Sequence, residues 1–169
     1  ANSGAYQGKQ HTAAVNVART FFTQLQMEVG NWYDNFDPPA MTFPADRFPL
    51  LARAVIAPDT WINLHTGDDF RVGEFLGHSA MASSPANYQS ARFCVNYMVS
   101  PLENRAMGQV NNALIDVWKV RVRVSWTKQK QYDGAAWLSC NPANVGNRLA
   151  AGADDAIELV GAATRELAR

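Results

Sequence analysis

The sequence predicts an α+β fold in which a long N-terminal helix packs on a small antiparallel β-sheet. Two patterns predict it. Apolar residues recur at helical spacing near the start of the chain, and apolar and polar residues alternate as in strands after residue 90. A long irregular connection separates these parts, and a C-terminal helix is expected to follow them. The length of 169 residues suits a single globular domain, residues 1–169.

The N-terminal helix is predicted over residues 12–29, where one stripe is apolar. Val15 and Phe22 lie beside this stripe, so a second side of the helix is also expected to be apolar. Thr12 is expected to cap the start of the helix, and Gly30 with the asparagine after it is expected to end it. The stripe consists of Ala14, Val17, Ala18, Phe21, Leu25 and Val29.

Residues 31–90 are predicted to form the irregular connection, with a short helix within 46–57. The stretch DNFDPPAMTFPADRFP contains four of the eight prolines. Within it, Pro38-Pro39 excludes a helix interior or a central strand. Trp61 also lies in this connection, where it either fixes the segment to the sheet or marks a contact surface.

Residues 91–140 are predicted to form an antiparallel meander of three strands. The first two strands are ARFCVNYMVS and DVWKVRVRVSWT, and AAWLSC returns after the loop KQKQYDG. One face of the second strand is apolar and needs a cover, which the N-terminal helix could supply. That face consists of Trp118, Val120, Val122, Val124 and Trp126.

The C-terminal helix is predicted over residues 153–168, ADDAIELVGAATRELA. Asp154 and Asp155 would lie in its first turn, with Arg165 and Arg169 at its end. Acidic residues at the start of a helix and basic residues at its end suit the helix dipole.

The charge balance limits the kinds of partner that we expect. Lysine and arginine total 15, and aspartate and glutamate also total 15. This balance argues against a protein that binds nucleic acid over its whole surface, although a local basic patch is still compatible with it. No apolar run approaches the length of a membrane span, and no secretory leader is expected in the chain as it stands.

One polar cluster could bind a metal ion: His65, Asp68, Asp69, Glu74 and His78 lie within HTGDDFRVGEFLGH. Their spacing matches neither HExxH nor an EF-hand loop, so a polar loop with turn-capping aspartates is the alternative. The sequence also contains no G-x-S-x-G motif and no glycine-rich phosphate loop. We therefore predict no enzyme activity, and no catalytic, cofactor-binding or metal-binding residue.

Lys119, Arg121 and Arg123 form a basic face on the second strand of the meander. Alternate residues of a strand lie about 7 Å apart, close to the spacing of phosphates along a nucleic-acid strand. Nucleic acid or an acidic partner could bind this face. The alternative is an ordinary solvated face whose cations pair with carboxylates.

Cys94 and Cys140 lie 46 residues apart, a spacing that does not match a zinc site. In a secreted or periplasmic protein they would most simply form one disulfide. In a cytosolic protein they would be two buried thiols.

The order of helix, irregular connection, meander and cysteine pair resembles the soluble part of a type IV pilin-like protein. The closest resemblance is to PilV-like minor pilins and to minor pseudopilins of type II secretion. It is carried by HTAAVNVARTFFTQLQMEVGNW, by DVWKVRVRVSWT and by the two cysteines. It implies that residues 11–29 are the C-terminal half of the pilin helix. It also implies a Cys94–Cys140 disulfide and a membrane-spanning N-terminal helix ahead of this chain.

The resemblance implies a structural minor subunit of a type IV pilus or a type II secretion pseudopilus, which starts assembly or lies at the tip. Its partners would be other pilin or pseudopilin subunits, a tip adhesin and the inner membrane. It would occupy the bacterial inner membrane and periplasm before assembly, and the pilus fibre afterwards. Val15 and Phe22 would contact neighbouring subunits.

Two other functions are considered. One is an NTF2-like α+β enzyme or ligand-binding domain with a pocket between helix and sheet. The other is a minor pilin that binds DNA through Lys119, Arg121 and Arg123, although nucleic acid is not the partner that we expect.

Overall fold

The computed structural model describes residues 2–35, 49–55, 57–64, 71–72, 81–82, 93–104, 115–128 and 140–164. The regular elements within these ranges are, in chain order, α1 (Asn2–Asn35), α2 (Pro49–Val55), β1 (Ile62–Asn63), β2 (Arg71–Val72), β3 (Met81–Ala82), β4 (Cys94–Asn104), β5 (Ile115–Thr127), α3 (Pro142–Ala150) and β6 (Asp154–Thr164).

Four strands form the main sheet in the order β1-β4-β5-β6, and β2 pairs with β3 in a separate two-stranded antiparallel sheet. As residue numbers rise along β4, the numbers of the contacting residues on β5 fall. Phe93 contacts Trp126, whereas Asn96 contacts Arg123, which is the pattern of an antiparallel pair. The α+β class, the N-terminal helix and the antiparallel sheet are therefore confirmed.

Helix α1 is longer than predicted, because it begins at Asn2 and ends at Asn35. Thr12 does not cap it. Its hydroxyl donates to the carbonyl oxygen of Gly8 at 3.1 Å, which is a bond within a helix. Gly30 keeps the helical backbone and does not adopt the left-handed conformation of a C-terminal cap. Within the described residues, no helix combines the length and apolar character that a membrane crossing requires.

The connection 31–90 contains more regular structure than predicted. Residues 31–35 belong to α1, and α2 confirms the short helix expected within 46–57. Strand β1 also lies in this connection and is the first strand of the main sheet.

The prediction of a C-terminal helix over 153–168 is wrong. Residues Asp154–Thr164 form β6, which pairs with β5 and is the last strand in the order of the sheet that the described residues form. The helix in this part of the chain is instead α3, whose start is set by Asn141 and Pro142. The side chain of Asn141 accepts a hydrogen bond from the backbone N–H of Ala143 at 3.0 Å.

The first two strands of the predicted meander are confirmed as β4 and β5. The third was expected over AAWLSC, of which all but Cys140 lies outside the described residues. Cys140 itself lies two residues before the start of α3 and does not belong to a strand. The second neighbour of β5 is β6.

The chain divides into two units, each assembled from three separate segments. Unit 1 comprises Ala1–Thr20, Asn63–Tyr97 and Val122–Leu159. Unit 2 comprises Phe21–Ile62, Met98–Arg121 and Val160–Arg169.

In unit 1, the first part of α1 contributes a buried face whose residues recur every three or four positions. The ring of Trp126 meets Phe93 edge-on at 5.9 Å between centroids, and His11 of α1 lies 6.5 Å from the same ring. The buried side chains here include Gln10, Ala14, Val17, Ala18, Phe93, Val95, Tyr97, Val122, Val124 and Trp126.

Unit 2 has its own buried residues, from the second part of α1, from α2 and from the strands. Phe22 of α1 lies directly against Gly161 of β6 in this unit. The buried apolar side chains include Leu25, Val29, Leu50, Leu51, Ala54, Val99, Trp118, Val120 and Ala163.

Candidate functional site

The two faces of β5 differ as the alternation predicts. The apolar face is fully buried, while Lys119, Arg121 and Arg123 lie on the opposite face and are all half-buried. Their surroundings differ: Arg123 belongs to unit 1, and Lys119 and Arg121 belong to unit 2.

Arg123 is held by polar partners inside unit 1. Its Nη2 donates to Oδ1 of Asn96 at 2.9 Å and to the carbonyl oxygen of Pro142 at 3.4 Å. The guanidinium therefore links β4 and β5 to the first turn of α3. These contacts give Arg123 a structural task, and they point it toward the protein rather than outward to an anionic partner.

Asn96 extends this network to the cysteine pair. Its side chain is fully buried, and its Nδ2 donates to the carbonyl oxygen of Cys140 at 3.0 Å. Cys94 and Cys140 form a disulfide, as the resemblance implied, and both are buried with Val145 of α3. The disulfide and the Arg123 network thus hold the same stretch of chain against β4 and β5.

Arg148 adds an ion pair near the C-terminal end of α3. Its Nε donates to Oδ2 of Asp154 at 2.8 Å, and the two side chains are only 11% and 5% exposed. Its Nη2 also lies 3.9 Å from Sγ of Cys94. Removal of one partner from such a sheltered pair leaves a charge without compensation, so this pair ties the end of α3 to the start of β6.

In unit 2, Arg121 lies flat against an aromatic ring. Its Cζ is 4.8 Å from the centroid of Trp61, and its Nη1 donates to Sδ of Met98 at 3.7 Å. Lys119 lies two residues earlier on the same face of β5. We call Trp61, Lys119 and Arg121 the Trp61 platform.

The two residues of α1 that are predicted to contact neighbouring subunits, Val15 and Phe22, are both partly exposed. Val15 is half-buried. Phe22 is also half-buried, but it faces β6, because its ring lies against Gly161. That Val15 and Phe22 contact neighbouring subunits stays a prediction. Among the side chains of residues 8–30, which the structure describes, the large apolar one that α1 exposes is Met27, at 60%.

Glu28 of α1 caps α2 from a distance within unit 2. Its carboxylate accepts hydrogen bonds from the backbone N–H groups of Leu50 at 3.3 Å and Leu51 at 2.7 Å. These groups belong to the first turn of α2, where a helix has no carbonyl partners of its own. Burial raises the pKa of Glu28 from its usual 4.5, while the two backbone bonds and a bond with Gln24 oppose that rise.

The predicted metal cluster, His65, Asp68, Asp69, Glu74 and His78, lies outside the described residues. Among the residues that are described, no three histidine, cysteine, aspartate or glutamate side chains come together in a group that could hold a metal ion.

Several residues with structural tasks were not singled out from the sequence. Asn96 was the easiest to find, because a polar amide within a strand buried on both faces must have hydrogen-bond partners. The ion pair of Arg148 with Asp154 was missed because α3, which contains Arg148, was not predicted and Asp154 was placed in a helix rather than at the start of β6. Glu28 carries no local sequence signal, because its partners lie 22 and 23 residues away.

The side of α1 around Met27 is exposed, whereas the side chains of the Trp61 platform are half-buried. Comparison with known proteins finds no match for the chain among protein-family models, curated proteins or solved structures.

Proposed function

We propose that this protein is a structural subunit of a bacterial filament, a minor subunit of a type IV pilus or of a type II secretion pseudopilus that starts assembly or lies at the tip. The single observation that carries the proposal is α1. It is a helix of 34 residues with one buried stripe and an opposite side that faces outward. At 1.5 Å per residue it is about 50 Å long.

Two sides of one helix would then have separate tasks. The buried stripe contributes to the cores of units 1 and 2. On the opposite side, Met27 is exposed at 60% among polar neighbours such as Thr23 and Gln26. A flexible, polarizable methionine suits a contact that must fit several neighbouring subunits.

The disulfide supports a location outside the cytoplasm. Cys94 and Cys140 are joined and buried, and such structural disulfides persist in oxidising compartments such as the periplasm. A filament subunit meets this condition before and after assembly.

The inner face of β5 favours a structural role over the pocket alternative. A pocket enzyme needs polar groups that converge in an apolar cavity. The described inner face carries buried tryptophan and valine side chains, Trp118, Val120, Val122, Val124 and Trp126. These side chains fill space and supply no general acid, base or nucleophile.

The test is incorporation into filaments. The gene, with its own upstream coding sequence, is expressed in its host, filaments are sheared from the cells, and the subunit is detected with an antibody. We expect the subunit in the filament fraction, and we expect Met27→Glu to reduce its amount severalfold, because a carboxylate replaces an apolar contact. Gln26→Glu is the matched control, since it adds the same charge at the adjacent exposed position.

A filament fraction without the wild-type subunit would overturn the proposal. Equal incorporation of the Met27→Glu and wild-type subunits would remove Met27 from the contact surface. The codons before Ala1 give an independent check: a short basic leader followed by an apolar segment long enough to span a membrane is expected.

A further inference from the structure

We infer that the Cys94–Cys140 disulfide is a directional site of thiol–disulfide exchange, at which the reacting thiol forms its mixed disulfide with Cys140 while Cys94 carries the thiolate. The reactant is a thiol or its disulfide, either a small molecule or a dithiol oxidoreductase. The inference goes beyond the proposed function and does not depend on it, because it rests on the contacts of the two sulfur atoms within unit 1.

The two sulfur atoms differ in their donors, although they are equally buried. Cys94 is 1% exposed and Cys140 is 0% exposed, so burial disfavours a thiolate at both positions to a similar extent. Nη2 of Arg148 lies 3.9 Å from Sγ of Cys94. Among the described residues, Sγ of Cys140 has no hydrogen-bond donor. A negative charge on Cys94 therefore meets a cationic donor that a charge on Cys140 does not meet.

Asp154 holds the guanidinium of Arg148 in this orientation. Its carboxylate accepts a hydrogen bond from Nε at 2.8 Å, while a different nitrogen, Nη2, lies near the sulfur of Cys94. The guanidinium is a rigid planar fork, so a bond that fixes Nε also restrains Nη2. Because the carboxylate offsets the charge of Arg148, the preference comes from the directed N–H donor rather than from a net positive field.

Ser125 offers a second donor to the same sulfur. Asn96 contacts Arg123 across the antiparallel pair β4 and β5. Two residues earlier on β4 and two residues later on β5, Cys94 and Ser125 lie opposite each other on that same face. Ser125 is 1% exposed, and its Oγ has no hydrogen-bond partner in the described part of the chain. A thiolate on Cys94 would give this buried hydroxyl an acceptor.

The exchange balances as two displacements. A thiolate attacks Sγ of Cys140, a new S–S bond forms there, and the bond to Cys94 breaks with its electron pair on Sγ of Cys94. A second thiolate then attacks the reagent sulfur of the mixed disulfide and releases Cys140, which takes up a proton from water. Two electrons thus pass from the two reagent thiolates to the cysteine pair.

Oxidation runs through the same steps in reverse. A disulfide is the oxidant, Cys140 takes up the mixed disulfide, and the Cys94 thiolate attacks it to close the bond. A mixed disulfide on Cys94 is disfavoured in either direction, because it would occupy the sulfur beside both donors and leave the charge on Cys140.

The test equilibrates the full 169-residue chain with 2-mercaptoethanol and its disulfide. Acid and an alkylating reagent trap the mixture, and peptide mapping by mass spectrometry locates the adduct in the singly modified protein. We expect the adduct on Cys140 about tenfold more often than on Cys94, the effect of a charged donor on a thiolate. The ultraviolet absorbance of the thiolate, compared in Cys140→Ser and Cys94→Ser at one pH, should be larger for Cys140→Ser.

Variants then identify the donors. Ser125→Ala should lower the adduct ratio about threefold, the effect of one hydrogen bond. Arg148→Gln combined with Asp154→Asn should bring the ratio to about one, and this pair of changes leaves no buried charge without its partner. Arg19→Gln, at an exposed position on α1, is the control that should keep the wild-type ratio. If the double variant does not fold, Ser125→Ala still decides.

Three outcomes would overturn the inference: an adduct shared equally by the two cysteines of the wild type, an adduct mainly on Cys94, or a wild-type ratio in Ser125→Ala and in the double variant alike. A loss of the preference in Arg19→Gln would also overturn it, because general charge would then be the cause. Filament incorporation is measured separately on the oxidised protein, so failure here is distinguishable from failure of the proposed function.

Discussion

Gly161 shows how a single residue adapts a strand to the helix beside it. A Cβ atom built on Gly161 would lie 2.5 Å from Cζ of Phe22, closer than side-chain atoms approach one another. The Phe22 ring therefore occupies the space that any other residue at 161 would need. Gly161 on β6 and Phe22 on α1 therefore pack together as a pair, because the glycine leaves room for the ring.

The substitution Gly161→Ala should destabilise the protein by about 1–3 kcal/mol, because the new methyl group displaces the Phe22 ring. Urea unfolding measures the change. In a Phe22→Ala background the same substitution should cost nothing, and the double-mutant cycle gives the coupling. Gly146→Ala in α3 is the matched control. Apart from its chain neighbours and the backbone of its own helix, no atom of the described residues lies within 4 Å of its new Cβ, so we expect stability to rise by up to about 1 kcal/mol. Equal effects at 161 and 146 would refute the packing argument.

Glu28 should make stability depend on pH. Burial raises the pKa of Glu28 above 4.5, so the folded state binds its proton more tightly than the unfolded state does. The stabilisation that comes from the protonated carboxyl group is fully present below pH 4.5. It is lost as the pH rises through the pKa that Glu28 has in the folded protein.

Glu28→Gln should reduce this loss of stability with rising pH, because an amide keeps a carbonyl acceptor for the backbone N–H of Leu51 but does not ionise. Urea unfolding across a pH series is the measurement. Glu158→Gln, at an exposed position on β6, is the control that should keep the wild-type profile. If Glu28→Gln keeps the wild-type slope above pH 4.5, Glu28 is not the group responsible.

Among the elements, α3 depends most on long-range ties. The disulfide joins residues 46 positions apart, and Asn96 and Arg123 hold the backbone at Cys140 and Pro142. These ties fix the end of a long chain segment, and Arg148 then links α3 to β6 through Asp154. The helix itself is only nine residues long, too short to be stable in isolation.

Replacement of both Cys94 and Cys140 by alanine should cost about 4 kcal/mol of stability, the loop-closure value for a segment of this length. Chemical unfolding of the variant against the oxidised wild type measures it. The wild type treated with reductant in denaturant should approach the variant. A loss near zero would mean that the hydrogen bonds of Asn96 and Arg123 alone keep the segment in position.

The elements also show why sequence reasoning succeeded at β5 and failed at β6. In β5, β-branched and aromatic residues alternate with long polar ones, so propensity and period agree. In β6, the alanines and the charges near the ends favour a helix. However, Ile157, Leu159 and Gly161 occupy alternate positions, which is the period of a strand. Pairing beside β5 overrides the weak local preference, and that pairing is not visible within eleven residues.

At the scale of the whole molecule, the class and the order of the first helix and central strands could be predicted because they rest on periodicity. The candidate site could be predicted only in part. The alternation of β5 showed which cations share a face. It could not show that Arg123 turns to Asn96 while Arg121 stacks on Trp61, because those partners come from distant parts of the chain.

Neither unit is a continuous stretch of chain, and this affects the order in which the protein can fold during synthesis. Unit 1 needs residues as far as Leu159, and unit 2 needs the last segment, Val160–Arg169. A ribosome or a secretion channel delivers the chain from its N-terminus, so neither unit can be completed until the segment that contains β6 has emerged. Until then the early segments lack their partners, and a chaperone that shields apolar helix and strand surfaces would have its clearest role.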